Sequence, residues 1–371
     1  MFHNEQSSQE IADQLRAAVA DVLAVQDVTL SQEPRRGVRL RGRLLVEAAR
    51  AYGRVAPRFR ELGYTALFRR EKDLDVIFAL PGSLPVARPR PWLAALLFLA
   101  TVLSVLFVGA QLAVAEPEGR LRLLDGWPFA ASLLAILLAH ELGHYTTARF
   151  LGTPVTLPYF IPVPLPPFGT MGAFIRMTAP PINRRRLLAI AVAGPLSGLV
   201  LAVPILILGL SLSEVKPIPP LLPGQTLWIE GNSLLYLALK VLLFGRILPS
   251  GGMDVFLHPV AFAGWAGLLV TGLNLIPAGQ LDGGHIIYAL LGERARYLTW
   301  LIIMALVGLG WLWNGWWLWA LLIALFGQFH AAPLDDITRL NGPLIALALL
   351  VIFIFILIFT PIPLTVVGGV P

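Results

Sequence analysis

Long apolar runs alternate with short charged or proline-rich stretches through most of the chain, and only about the first eighty residues depart from that pattern. There, Ile11, Leu15, Ala18, Val22 and Leu23 recur at helical spacing between residues 9 and about 24. Val25 to Leu30 and Val38 to Leu45 then read as short strands around the turn Glu33-Pro34-Arg35-Arg36-Gly37. The order repeats. A helical stretch from Leu45 to Leu62 stops at Gly63, and Tyr64 to Phe68 and Leu74 to Leu80 read as strands around the charged turn Arg69 to Asp73. This α-β-β-α-β-β order predicts a small soluble α+β domain over residues 1–80, with residues 81–91 as linker. Met1 to Glu10 is polar and leads into no apolar core, so no secretory signal is expected there.

Residues 92–371 read as a membrane domain. Trp92 to Ala115, Trp127 to Phe150 and Leu187 to Leu210 are each long enough to cross a hydrocarbon core of about 30 Å. Pro259 to Ile276 and Leu344 to Phe359 are shorter candidates. Residues 298–329 make about 48 Å of helix, too long for one upright span, and the Trp-rich surroundings of Asn314-Gly315 predict a tight helical hairpin. The expected fold is therefore a polytopic α-helical membrane protein of about six or seven spans with a small N-terminal α+β domain. Between the second and third runs the chain is too rich in proline for helix and too apolar for an ordinary loop. It is expected to re-enter the membrane body or dip into its surface, with Thr170 to Met177 as a short strand.

Arg88, Arg90, Arg149, Arg184, Arg185, Arg186, Arg294 and Arg296 flank these runs on what would be one side, which predicts a cytoplasmic N-terminal domain. On that topology Leu234 to Leu248 begins and ends outside and does not cross, with Lys240 and Arg246 reaching lipid headgroups.

Composition agrees: 57% of the 371 residues are hydrophobic and 13% charged, against about 25% charged in soluble proteins. The absence of cysteine excludes disulfides, thiolate clusters and cysteine nucleophiles, leaving histidine and carboxylate as metal ligands. A net charge of +6 follows from arginine-rich membrane flanks, and no nucleic-acid partner is expected.

The chemistry gathers in His140-Glu141-Leu142-Gly143-His144, an H-E-x-x-H segment within a membrane span. Two histidines four apart share a helix face and can hold one metal ion, with Glu141 beside its open position. Zinc, one per chain, is the expected ion, and Glu141 the base that deprotonates water attacking an amide. Ionisable groups at membrane depth cost about 2 kcal/mol or more each unless satisfied, which favours function over chance. The longer extension with a third histidine is absent, because Thr147, Ala148, Phe150 and Leu151 do not coordinate. The remaining candidates lie between Asn274 and His285, where either Asp282 or His285 could coordinate.

His140, Glu141 and His144, with Asn274, Pro277, Asp282 and Gly283, resemble the paired motifs of the site-2 protease family of intramembrane zinc metalloproteases (M50-like). The resemblance covers about residues 92 to 345. It implies Asp282 as third ligand in preference to His285, and Asn274 as a group holding substrate or the transition state. Gly169 to Gly172 resembles a β-like loop that pairs with extended substrate, and Gly194 to Gly198 a closely packed third helix. For both, the plainer alternative is turn formation and helix packing. The N-terminal domain and the lack of an evident PDZ insertion resemble the EGY-like plant-chloroplast and bacterial subgroup.

The expected function is hydrolysis of a peptide bond within or near the spanning segment of membrane-anchored proteins. A non-proteolytic zinc scaffold or chaperone is the alternative, and the intact Glu141 argues against it. A metal transporter would string ionisable groups across several spans, whereas here they gather at one depth. His3, His258 and His330 lack ligand-spaced partners, and Asp335 and Asp336 read as solvated charges.

Overall fold

The computed structural model describes residues 2–30, 37–82, 89–113, 121–219, 226–327 and 332–368. Turn residues Glu33 to Arg36, linker residues 83–88 with Arg88, the His3 side chain and His330 lie outside that description. The N-terminal elements are α1 (Phe2–Val19), β1 (Leu23–Leu30), β2 (Val38–Leu44), α2 (Ala48–Glu61), β3 (Tyr64–Glu71) and β4 (Leu74–Pro81). The strands form one antiparallel sheet in the order β1-β2-β4-β3. Burial alternates along β2, as one covered face requires, and Leu40 and Phe68 meet Leu15, Val55 and Phe59 in a common core. Helix α1 stops at Val19, short of residue 24, because Val22 and Leu23 enter that core from the approach to β1.

The rest of the chain runs α3 (Pro91–Ala113), α4 (Trp127–Phe150), β5 (Tyr159–Pro162), β6 (Thr170–Phe174), α5 (Arg184–Ser211), β7 (Glu214–Pro217) and β8 (Thr226–Glu230). It continues through α6 (Leu234–Phe244), β9 (Met253–Phe256), α7 (Pro259–Asn274), α8 (Asp282–Leu291), α9 (Ala295–Leu309), α10 (Gly315–Phe326), α11 (Gly342–Ile358) and β10 (Leu364–Gly368). Among the described residues, α3, α4 with the turn before it, and α5 are long and apolar enough to cross a membrane. Helices α4, α5 and α7 share a core that includes Leu133, Ile136, Leu188, Leu206 and Trp265. Strand β5 pairs with β6, β7 with β9 and β8 with β10, all antiparallel. Helices α9 and α10 form a hairpin across residues 310–314, where the Trp317 indole donates to the Val307 carbonyl (3.1 Å). At the same turn the Trp313 indole donates to the Leu364 carbonyl (2.9 Å), tying the hairpin to β10.

Two sequence expectations are corrected. Lys240 does not reach headgroups: it is fully buried, 3.0 Å from Glu230 and 3.8 Å from Asp254, with its ammonium over the Tyr236 ring. Strands β8 and β9 bring those carboxylates to it, and a buried ammonium is tolerable only with such compensation. Asp335 and Asp336 are likewise not solvated. Asp335 is fully buried and accepts from the backbone N–H groups of Ile337 (3.0 Å) and Thr338 (3.1 Å), while Asp336 binds the Arg184 guanidinium at 2.8 and 3.0 Å.

These aspartates lie in a strand-like bridge between the two parts of the molecule. The Phe68 N–H donates to the Leu334 carbonyl (2.8 Å) and the Asp336 N–H to the Phe68 carbonyl (3.1 Å), extending the sheet beyond its β3 edge. On the other side, Leu334 and Asp335 donate to the carbonyls of Pro181 (3.1 Å) and Ile182 (2.7 Å), just before α5. Behind this bridge, burial and then the negative charge of Asp335 push the Tyr52 hydroxyl up to about 12.

Candidate metal centre

Helix periodicity turns His140 and His144 to one side of α4, where their rings lie 4.9 Å apart and both are buried. Helix α7 ends at Asn274, because Pro277 cannot continue it and Gly279 adopts φ +63°. The chain reverses within residues 275–281 and re-enters helix at Asp282, so this carboxylate stands on the first turn of α8. A side chain at Gly283 would overlap the Leu275 carbonyl, so only glycine permits so tight a reversal. The helix N-terminus also favours the charged form of Asp282.

Three donor atoms converge. His140 Nε2 and His144 Nε2 are 3.2 Å apart, and Asp282 Oδ2 lies 3.3 Å from each. A tetrahedral zinc with bonds of about 2.0–2.1 Å sets its ligand atoms about 3.3 Å apart, so the triangle fits that ion without rearrangement. His144 Nδ1 is 2.7 Å from the Ile190 carbonyl on α5; a carbonyl only accepts, so Nδ1 carries the proton and Nε2 presents its lone pair to the cluster. Helix α5 comes this close because residue 194 is glycine: a Cβ there would overlap the His144 imidazole. The Gly194 to Gly198 segment therefore acts through packing.

Glu141 is buried beside the triangle, and its Oε2 has no hydrogen-bond partner among the described residues. The Ile175 N–H, on the continuation of β6, faces this carboxylate. Asn274 Nδ2 stands 3.4 Å from His140 Nε2, at the rim of the cluster. His285, one turn beyond Asp282, lines the same cleft as Ala173 to Ile175, Met177 and Gln280, but is not one of the three residues whose donor atoms converge. His258 caps the opposite end of α7, where its Nδ1 accepts from the Val260 N–H (3.2 Å). The supporting Ile190 carbonyl and Ile175 N–H are backbone groups, for which a sequence carries no signal beyond the small residue at Gly194.

Apolar helices enclosing a His-His-Asp cluster, beside a glutamate whose Oε2 has no hydrogen-bond partner among the described residues, make a candidate metal site of the H-E-x-x-H class. The model of Peptidase family M50 matches residues 128–310, which include every residue of that cluster. The chain belongs to peptidase family M50. It is 32% identical over 355 residues to "Probable zinc metalloprotease EGY2, chloroplastic" of Arabidopsis thaliana, covering 91% of this chain and 63% of that protein. The Oryza sativa subsp. indica protein of the same name is 30% identical over 353 residues, covering 90% and 63%. "Probable zinc metalloprotease EGY1, chloroplastic" of Arabidopsis thaliana is 33% identical over 184 residues, covering 49% and 33%. The chain thus spans just under two thirds of the length of the EGY2 relatives. No solved structure matches it significantly.

Proposed function

We propose that this chain is an intramembrane zinc metalloendopeptidase that hydrolyses a peptide bond within or near the spanning segment of membrane-anchored proteins. The observation that carries this reading is the convergence of His140, His144 and Asp282 within 3.2–3.3 Å of one another, with the unpaired Glu141 oxygen beside them. His140, His144 and Asp282 hold the zinc, which when bound acidifies water and polarises a carbonyl at neutral pH. Glu141 takes the proton from the attacking water and delivers it to the leaving amine nitrogen. Asn274 donates from its amide to the carbonyl oxygen as charge develops there. A substrate helix must unwind before its carbonyl can be attacked. The edge of the Gly169 to Met177 segment that faces Glu141 supplies the lost backbone hydrogen bonds by strand addition. The test is hydrolysis of a spanning substrate by purified protein in detergent, abolished by a zinc chelator and restored by zinc.

The topology that fits this site has the N-terminal domain in the cytoplasm and seven crossings, by α3, α4, α5, α7, α9, α10 and α11. Helix α6 follows the outer end of α5 and precedes the outer start of α7, so it does not cross and lies at the outer face with β7 to β10. On this cysteine-free chain, single cysteines at Ser211 and Gly251 are expected to label from outside. Labelling from opposite sides would sink this topology.

The N-terminal domain, residues 1–80, serves to cover or sort substrates. Its bridge through Leu334 to Asp336 ends beside Asn183 at the start of α5, on the helix that supports His144. Deleting residues 1–80 is expected to leave metal content and cleavage of a short unstructured peptide nearly intact while changing which full-length substrates are cut. Loss of metal on deletion would instead make the domain structural for the membrane body.

A further inference from the structure

The segment from Ala173 to Met177 separates two recesses. Ala173, Ile175 and Met177 line the metal cleft, Arg176 lines a second groove, and Phe174 lines both. This is the period-two alternation of an extended strand, carried past the end of β6. One edge of the segment is occupied: Tyr159 is the register partner of Phe174, the Thr156 N–H donates to the Arg176 carbonyl (3.0 Å), and the Thr178 N–H to the Pro154 carbonyl (2.9 Å). The other edge turns the Ile175 N–H toward Glu141.

The second groove lies between this segment and α3. Leu93 and Leu97 on α3, with Phe174, make it apolar, and Arg90 and Arg176 make it cationic. Both arginines are exposed, and among the described residues neither guanidinium has a carboxylate partner. Arg90 is held near β5 by its own N–H, 3.4 Å from the Tyr159 hydroxyl. In this molecule other arginines with a nearby acid take it, as Arg58 takes Asp21 and Arg184 takes Asp336. Two unpaired guanidinium groups over an apolar floor complement a carboxylate on an otherwise apolar segment.

We propose that this groove is a substrate subsite selecting an acidic side chain close to the cleaved bond, with Arg176 as its main contact and Arg90 as the second. The proposal rests on the proteolytic reading and deepens it. A strand added at the free edge sends the residue beside Arg176 to the same face as Arg176, because side chains of neighbouring strands alternate in register. Arg176 directly follows Ile175, whose N–H faces Glu141, so the selected residue falls within about two positions of the scissile bond. The flanking apolar side chain of the substrate rests on Leu93, Leu97 and Phe174.

The experiment uses the full-length, zinc-loaded protein in detergent. Extended peptides are identical except for Glu or Gln at each position about the cut, and kcat/KM is measured for both. At one position Glu is expected to exceed Gln by about fivefold. Arg176→Gln is expected to bring that ratio to about one, Arg176→Lys to keep most of it, and Arg176→Glu to reverse it toward a Lys peptide. Equal cleavage of the two peptides by the unaltered protein at every position would overturn the proposal. So would an equal loss on both peptides in Arg176→Gln. Retention on anionic but not neutral vesicles that Arg176→Gln abolishes, with no preference among peptides, would assign the groove to lipid headgroups and overturn the proposal as well. Anisotropy with labelled peptides and the Glu141→Gln protein reads the same preference without turnover. A Glu preference in binding, with no cleavage by the unaltered protein, would support the subsite and refute the proteolytic reading.

Discussion

Glu141→Gln is expected to keep fold and zinc while lowering peptide hydrolysis by about 10²–10⁴-fold or more. Glutamine has the same shape, and Glu141 Oε2 makes no hydrogen bond among the described residues that an amide would break. Nor is Glu141 one of the three proposed ligands, so the substitution leaves that set of donors intact. What changes is proton affinity: an amide oxygen cannot take the proton of attacking water, and the amide nitrogen cannot pass one to a leaving amine. Burial makes the site unforgiving, since only 5% of Glu141 is exposed and bulk water is poorly placed to substitute. The measurement is kcat at matched zinc content per chain. Turnover within tenfold of the unaltered protein would remove Glu141 from the proton transfer.

The parts of this site that the amino-acid order discloses are those set by local geometry. His140 and His144 share a face because they stand four apart on a helix, whatever the rest of the chain does. Asn274, Pro277 and Asp282 announce a helix end with polar residues at membrane depth. The separate helix α8 was not foreseen, because a ten-residue element following a seven-residue reversal has too short an apolar period to detect. The hairpin of α9 and α10 was foreseen, since its length exceeds one span and its middle breaks helix. Lys240 was misread for a physical reason: its neutralising partners stand ten and fourteen residues away on strands too short to recognise, and an isolated lysine in an apolar stretch looks like an interfacial anchor. Asp335 and Asp336 were misread because the bridge beside Phe68 is built largely of backbone hydrogen bonds, which any residues can make.

Asp282→Ala is expected to reduce zinc from one per chain to a small fraction and to weaken apparent affinity by at least about 100-fold, while His285→Ala changes it little. The reasoning starts from the triangle of donors. With Asp282 removed, two imidazoles on one helix face remain, and a catalytic zinc generally takes three protein ligands. The loss is electrostatic as well as geometric: Asp282 is the negatively charged member of the triad, and the start of α8 favours its charge. Asp282→Asn separates the two effects, since its oxygen can still point at the same place without the charge. Its affinity is expected to fall between the unaltered protein and Asp282→Ala. His285 lines the cleft but lies outside the group whose ligand atoms approach within 4.8 Å of one another, so its removal takes no donor from the triangle. Metal content after dialysis against a chelator series, with circular dichroism to verify retained helix, reads all three variants on one scale. Zinc lost equally from His285→Ala and Asp282→Ala would mean that the α8 helix turns its second polar residue, not its first, toward the ion.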